Sequence, residues 1–259
     1  ALRRSYLILA CLMLVAWPAD AQDNYVPPPM FGAPSPVAKT PKPEPAPPKK
    51  AVKIDRENKF IVFADGKTEY YDRLVSTLPL PELLKLITNV PVDVMLAGQK
   101  LLATSGQLVS IAFNKEVNQH LWYYIYDNDI LPSRAWSPSM KAKSNAPLGK
   151  SSVQFETYYS KLKPKLMERE ELINHIINKG IENNLFTRND IEAIDYREIK
   201  YANVIFDFNR SESLKVVHDF LDEINIEYCG RFGEWDYLWS DQCVLSGKKT
   251  AIKINKSAK

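Results

Sequence analysis

The most informative stretch of this 259-residue chain is residues 230–247, GRFGEWDYLWSDQCVLSG. Two glycines, Gly230 and Gly233, flank an arginine and a phenylalanine, and aromatic residues alternate after them. A Ser-Asp pair then predicts a helix that begins near Ser240. Such a junction can present Arg231 and backbone N–H groups to an anion or an electron-rich ring, and its aromatic residues can wall off a planar ligand. The alternative is a structural junction with buried aromatic side chains and Ser240 as the helix cap.

The sequence upstream of this junction alternates short predicted strands and helices without a regular β–α–β order. This pattern favours an α+β or large α/β domain with a mixed sheet. Helices are predicted at 81–87, 165–180 and 211–224, the last capped by Ser211. Strands are predicted at 51–63 (two, around a polar turn), 68–75, 108–113, 121–126, 152–159 and 199–208, with a final strand ending at Gly230.

The composition excludes several classes of site and partner. The formal net charge is +3, which is too small to indicate a nucleic-acid partner. Three cysteines and three histidines, without the spacing of zinc ligands, predict neither a disulfide framework nor a metal centre. Composition alone names no function.

Residues 1–22 have the order of an export leader. Two arginines precede an apolar run from Tyr6 to Trp17, and small residues follow at the spacing of a cleavage site. The apolar run is shorter than the ~20 residues that a membrane-spanning helix needs, so no stable span is expected beyond the leader. A genuine leader predicts an exported or periplasmic protein; if the N-terminus is an artefact of a fused or misread gene, a cytoplasmic protein is expected.

Residues 23–52 contain 10 of the 18 prolines. Proline fixes φ and lacks a backbone donor, so this segment is expected to be a disordered polyproline tether before a domain at 53–259. A ligand for a proline-binding module is the alternative.

Two motifs resemble one family of flavoproteins. Residues 71–81, YDRLVSTLPLP, resemble the turn back into the flavin domain of the amine-oxidase and protoporphyrinogen-oxidase superfamily. The closing GRFGEWDYLWSD is similar to the flavin-contacting motif of UDP-galactopyranose mutase and its relatives. The resemblance covers about residues 52–255. It implies the C-terminal half of a GR2-type flavoprotein fold with a mixed-sheet substrate domain, here preceded by a disordered segment.

The same resemblance implies FAD as the cofactor. The start of the last predicted helix would favour the reduced, anionic flavin, and Tyr237 matches a tyrosine that reaches the substrate's diphosphate in the mutase branch. The residues implied to contact the cofactor are Thr77, Pro79, Gly230, Arg231, Phe232, Gly233, Asp241 and Gln242. No residue is assigned to catalysis.

Three further residues are substrate-binding candidates. Arg134 can bind a substrate anion or form a surface ion pair. Tyr124 and Tyr201 lie on predicted strands and either line a pocket or pack within a sheet.

Two functional hypotheses follow. The first is an FAD-dependent oxidoreductase or mutase-like protein that acts on a small molecule such as a nucleotide sugar. The sequence contains no GxGxxG motif for the ADP half of the cofactor, so this hypothesis expects a truncated protein, or a second chain that supplies the missing Rossmann half. The second is an exported, non-enzymatic binding or scaffold protein with a flavoprotein-like remnant on the tether.

Overall fold

The computed structural model describes residues 6–9, 49–117 and 120–257. Within these ranges eleven strands and seven α-helices follow one another. The strands are β1 (Tyr6–Leu9), β2 (Ala51–Asp55), β3 (Phe60–Phe63), β4 (Thr68–Tyr70), β5 (Arg73–Ser76), β6 (Ala103–Phe113), β7 (Trp122–Tyr124), β8 (Arg134–Trp136), β9 (Ser151–Tyr159), β10 (Ile191–Val204) and β11 (Ile226–Tyr228). The helices are α1 (Leu80–Leu86), α2 (Val92–Lys100), α3 (Pro138–Lys141), α4 (Arg169–Glu182), α5 (Arg210–Glu223), α6 (Gly230–Gly233) and α7 (Ser240–Ser257).

The strands form three sheets. The first is parallel, in the order β1-β5-β11, and the second is the antiparallel meander β2-β3-β4. The third has five strands in the order β10-β6-β9-β8-β7, and every pairing in it is antiparallel. The mixed α/β class is confirmed. Among the described strands, no single sheet mixes directions: one sheet is parallel and the other two are antiparallel.

Two hydrophobic cores hold these layers together. The first core joins the parallel sheet and the meander to α1, α2 and α5, with Leu74, Leu221 and Trp235 fully buried. In the second core, Val109, Val153 and their neighbours on one face of the five-stranded sheet pack against α4. The apolar residues of α4 recur at helical spacing, so one face of the helix is buried.

Several predicted boundaries differ from the structure. The stretch 68–75 forms two strands of different sheets, and α4 begins at Arg169 rather than at residue 165. The N-cap of α5 is Asn209, so Ser211 lies inside the first turn and does not cap the helix. Strand β10 runs from Ile191 to Val204 and ends before the predicted residue 208.

Four residues of the predicted leader are described as a strand. Tyr6–Leu9 pair in parallel with β5, in the register Tyr6↔Arg73 to Leu9↔Ser76. The sequence did not indicate this pairing, and the export role of residues 1–22 stays a prediction. The proline-rich stretch up to residue 48 lies outside the described residues. In the described part of the chain, no helix is long and apolar enough to cross a membrane.

Candidate functional site

The two motifs of the sequence meet at one edge of the parallel sheet. Strands β5 and β11 run side by side with Ser76 opposite Tyr228. The N–H of Cys229 donates to the carbonyl oxygen of Ser76 at 3.0 Å. Because parallel strands end at the same edge, the segment from Thr77 to Pro79 and the turn at Gly230 leave the sheet together. Ligands of open parallel sheets bind outside this carboxyl edge.

The structure requires glycine at both positions of the turn, for a different reason at each. Gly230 has φ +76°, a left-handed conformation that side chains with a Cβ disfavour. At Gly233 a Cβ would lie 3.2 Å from the carbonyl oxygen of Ser76. Gly233 therefore allows the short helix α6 to approach the end of β5.

Polar side chains hold this turn from the side of α5 and α7. The N–H of Gly230 donates to Ser246 Oγ at 2.8 Å, and the Ser246 hydroxyl donates to Glu234. His218 Nε2 lies 3.1 Å from the carbonyl oxygen of Gly233, and its ring stacks on Tyr228 with centroids 4.0 Å apart. Burial lowers the pKa of His218, which favours the neutral ring at this contact.

The Arg231 side chain is engaged within the protein. Its Nε and Nη2 donate to the carbonyl oxygen of Leu238 at 2.9 and 2.7 Å. Its Nη1 lies 3.3 Å from Asn203 Oδ1, and the guanidinium lies 5.0 Å from the centroid of the Tyr237 ring. Arg231 thus ties the loop before α7 to the end of β10.

An aromatic cluster lies beneath the loop. Trp235 is fully buried, and Phe232 and Tyr201 pack around it with centroids 6.2 and 6.1 Å away. The Tyr201 hydroxyl donates to Glu82 Oε1 at 2.7 Å. Burial acts to raise the pKa of Glu82, but hydrogen bonds from Lys200, Tyr201 and Lys85 outweigh it and lower this pKa to about 2. The structure therefore gives Tyr201 a packing and hydrogen-bonding role.

The start of α7 combines exposed rings with free helix-end donors. Tyr237 is 47% and Trp239 66% exposed. Gln242 Oε1 accepts the N–H of Trp239, the residue before the helix, at 2.7 Å, and Ser240 is the first residue of α7. The first N–H groups of a helix have no partner inside it, and they carry partial positive charge beside Asp241. This region can face a flat, electron-rich ring.

A second polar group lies on the open face of the five-stranded sheet. Arg134 Nε and Nη2 donate to one oxygen of Glu156 at 2.8 and 2.6 Å, and Tyr158 donates to the same oxygen. Glu156 is only 5% exposed, so the ion pair expected for Arg134 is partly buried and not a surface contact. Burial and the Glu156 carboxylate raise the pKa of Tyr158. Tyr124 is 63% exposed and lies opposite Arg134 in the pairing of β7 with β8.

Indole rings surround the exposed side of this ion pair. The Arg134 guanidinium lies 5.0 Å from the centroid of the Trp122 ring, and Trp122 stacks on Trp136 with centroids 5.4 Å apart. Trp136 Nε1 donates to Gln154 at 2.8 Å. The β7–β8–β9 face therefore presents aromatic rings next to a neutralised cation.

The structure divides the residues predicted from the sequence into two groups. The end of β5, the turn and the helix start bring together the backbone positions of all eight cofactor candidates, with Tyr237 and Tyr201 nearby. Arg134 and Tyr124 belong to the open face of the five-stranded sheet, opposite the face that packs on the second core. Sequence reasoning missed Glu82, because its contact with Tyr201 is distant along the chain. It also missed Ser246 and Glu234, which lie within residues 230–247 and meet where α7 packs against the turn. In the ranges that the structure describes, no group of histidine, cysteine and acidic residues could hold a metal ion.

No protein-family model matches the sequence, and no curated protein matches it. Among solved structures, the chain is similar to reduced UDP-galactopyranose mutase with a TM-score of 0.65 and 25% identity, covering 73% of this chain and 42% of the mutase. A protein from Exiguobacterium sp. 255-15, assigned as a protoporphyrinogen oxidase, matches with a TM-score of 0.62 and 13% identity, covering 81% and 47%. A CLA-producing fatty acid isomerase from P. acnes has a TM-score of 0.56 and 14% identity, covering 78% and 47%.

These similarities define the class of fold. The chain has a mixed α/β flavoprotein fold, and it spans less than half the length of each of these three proteins. The fold is that of the amine oxidase, protoporphyrinogen oxidase and UDP-galactopyranose mutase-like superfamily, as the sequence resemblance predicted.

Proposed function

We propose that the chain is part of an FAD-dependent oxidoreductase or mutase-like protein, and that the edge formed by Thr77–Pro79 and Gly230–Gly233 faces the cofactor. The observation that carries this proposal is the meeting of the two sequence motifs at the carboxyl edge of the parallel sheet. When bound, FAD supplies the redox or nucleophilic chemistry, and the chain contributes orientation and electrostatics.

The contacts of the turn indicate which part of the cofactor it fits. The N–H of Gly230 donates to Ser246, and Arg231 donates to Leu238, so neither group is open to a phosphate. The exposed Tyr237 and Trp239 rings, with the positive end of α7, suit the flat ring system instead. This division fits a chain without GxGxxG, in which another polypeptide holds the ADP half.

The β7–β8–β9 face is the proposed surface for a small-molecule substrate. Arg134 is neutralised by Glu156, so it is poorly suited to bind a free anion by itself. Exposed Tyr124 and the stacked Trp122 offer ring faces and hydroxyl groups. Aromatic faces of this kind bind flat or ring-shaped polar molecules, a class that includes the expected nucleotide sugar.

Titration of the purified full chain with FAD, followed by flavin fluorescence, tests the proposal. We expect saturable binding that FMN competes for and ADP does not. Trp239→Ala should weaken binding about two- to tenfold through the lost ring contact. Tyr126→Ala, which removes an exposed ring just after β7, should leave binding unchanged. No binding at high micromolar FAD, or competition by ADP alone, would contradict the proposal.

The second candidate is an exported, non-enzymatic binding or scaffold protein. The observation that favours it is the internal engagement of Arg231 and Gly230, the residues that the family motif directs to the cofactor. A chain that binds neither FAD nor FMN while keeping its thermal unfolding transition would support this candidate.

A further inference from the structure

A cavity of about 230 Å³ lies between α4 and the β7–β8 connection, away from the cofactor edge, and Tyr124 borders both this cavity and the aromatic sheet face. Its apolar lining comes from both elements and from β9, and includes Tyr123, Pro132, Phe155, Ile176 and Leu185. It is smaller than the ~300–1,000 Å³ sites of drug-sized ligands, so it fits a molecule with one ring.

The walls of this cavity are fixed by specific contacts. The N–H of Leu131 donates to His175 Nε2 at 3.0 Å and ties the β7–β8 connection to α4. Gly180 lines the cavity, and a Cβ there would lie 2.2 Å from the ring of Phe186. Close packing of Phe186 against Gly180 thus keeps this face of α4 in place.

Two polar groups of the lining lack a protein partner. Among the described residues, nothing hydrogen-bonds the hydroxyl of half-buried Tyr123, and burial alone raises its pKa. The carboxylate of Asp127, exposed at the cavity, has no ion pair or hydrogen bond within the same described ranges. An unpaired carboxylate and an unpaired hydroxyl beside an apolar cavity are groups that a ligand can satisfy.

The charges around the cavity favour a cation. Lys179 lines it, but its ammonium is paired with Asp129 at 2.6 Å and with Glu182 at 2.8 Å. Three carboxylates, counting Asp127, therefore accompany a single ammonium group. Arg134, which lies opposite the lining residue Tyr124, is itself paired with Glu156. Tyrosine faces attract ammonium groups, most strongly where water is excluded.

We propose that the cavity between α4 and the β7–β8 connection binds a small ammonium ligand with an apolar ring, with Asp127 and Tyr123 contacting its charged group. The ring would occupy the space lined by Phe155 and Ile176, and the ammonium would lie at the carboxylate. No residue of the cofactor edge lines this site, and among the lining residues that the structure describes only Tyr124 is shared with the proposed substrate face.

Binding of three probes with one aromatic ring each tests the charge preference. We expect benzyltrimethylammonium, which has no transferable hydrogen on nitrogen, to bind the full chain more tightly than neutral benzyl alcohol or anionic phenylacetate. Amide chemical shifts should change at residues 123–132 and 176–185. Equal binding of the three probes, or shifts confined to another surface, would overturn the proposal.

Matched variants test the two contacts. Asp127→Asn should weaken benzyltrimethylammonium binding about three- to fivefold, the effect of one exposed ion pair. Asp93→Asn removes an exposed carboxylate from α2, far from this cavity in the fold, and should change nothing. Tyr123→Leu should weaken binding about two- to fivefold through loss of the ring face. The proposal fails if Asp127→Asn and Asp93→Asn bind the probe equally well.

Discussion

The guanidinium of Arg231 donates two hydrogen bonds to the carbonyl oxygen of Leu238, from Nε at 2.9 Å and from Nη2 at 2.7 Å. These bonds close the loop between α6 and α7 and orient the exposed rings of Tyr237 and Trp239. The residue that the family motif directs to the cofactor is therefore also a structural element of this chain.

Replacing Arg231 should destabilise the fold as well as any ligand contact. We expect Arg231→Ala to lower the free energy of unfolding by about 1–3 kcal/mol, because the carbonyl of Leu238 loses a charged donor. Denaturant unfolding measures this change. Arg197→Ala, which removes a partly exposed arginine paired with exposed Asp195, should stay within about 0.5 kcal/mol. An Arg231→Ala variant as stable as Arg197→Ala would show that the loop does not depend on these bonds.

Gly180→Ala should destabilise α4 packing although alanine favours helices. A Cβ at this position would lie 2.2 Å from the Phe186 ring, so we expect a loss of about 1–3 kcal/mol from overpacking. The double variant Gly180→Ala, Phe186→Leu should recover part of the loss. Gly247→Ala in α7, where no atom lies within 4 Å of the new methyl group, should be neutral or stabilising by up to about 1 kcal/mol. Thermal unfolding of the three variants compares them, and equal transitions would contradict the packing account.

Glu156→Gln tests the ion pair on the sheet face. The change leaves the partly buried Arg134 without its carboxylate, so we expect a loss of about 1–3 kcal/mol, less than for a fully buried pair. Tyr158→Phe should cost less in the Glu156→Gln background than in the wild type, because both side chains use the same oxygen. Additive losses in the double-mutant cycle would mean that the two contacts act independently.

The contacts of Glu82 determine in which direction the stability of the fold changes with pH. The pKa of Glu82 is about 2 in the folded chain and about 4.5 for an ordinary glutamate. A depressed pKa stabilises the fold above pH 4.5, and this contribution is lost as the pH falls from 4.5 towards 2. We expect Glu82→Gln to flatten that part of the stability curve, whereas the exposed Glu116→Gln should follow the wild type. Unfolding midpoints between pH 2 and 6 measure the difference, and parallel curves for Glu82→Gln and the wild type would contradict it.

Local patterns in the sequence were enough to predict many elements. Strands β2 and β3, the helix after Pro79 and the start of α7 at Ser240 follow from alternation, proline and helix-start residues. The division of residues 68–75 between two sheets could not be predicted, because the strand-like sequence pattern continues from β4 into β5 without an interruption. Helix α2 was missed because Gly98 weakens its pattern; the structure requires that glycine, since a Cβ there would lie 2.5 Å from Leu84.

The site was predictable only where its residues are close along the chain. The turn from Gly230 to Gly233 and the helix start after it lie within one stretch of sequence. The contact of this turn with Ser76 depends on the pairing of β5 with β11, and the contact of Arg134 with Glu156 depends on the register of β8 with β9. Strand pairing over such distances leaves no signal in a single sequence.

Mapping of the amide chemical shifts of the full chain on addition of FAD tests the central claim most directly. We expect the shifts to cluster at residues 77, 78 and 230–242, at the carboxyl edge of the parallel sheet and the start of α7. The cavity beside α4 should stay unchanged. If FAD at high micromolar concentration shifts no amides, or shifts those of another surface, this edge does not face a flavin.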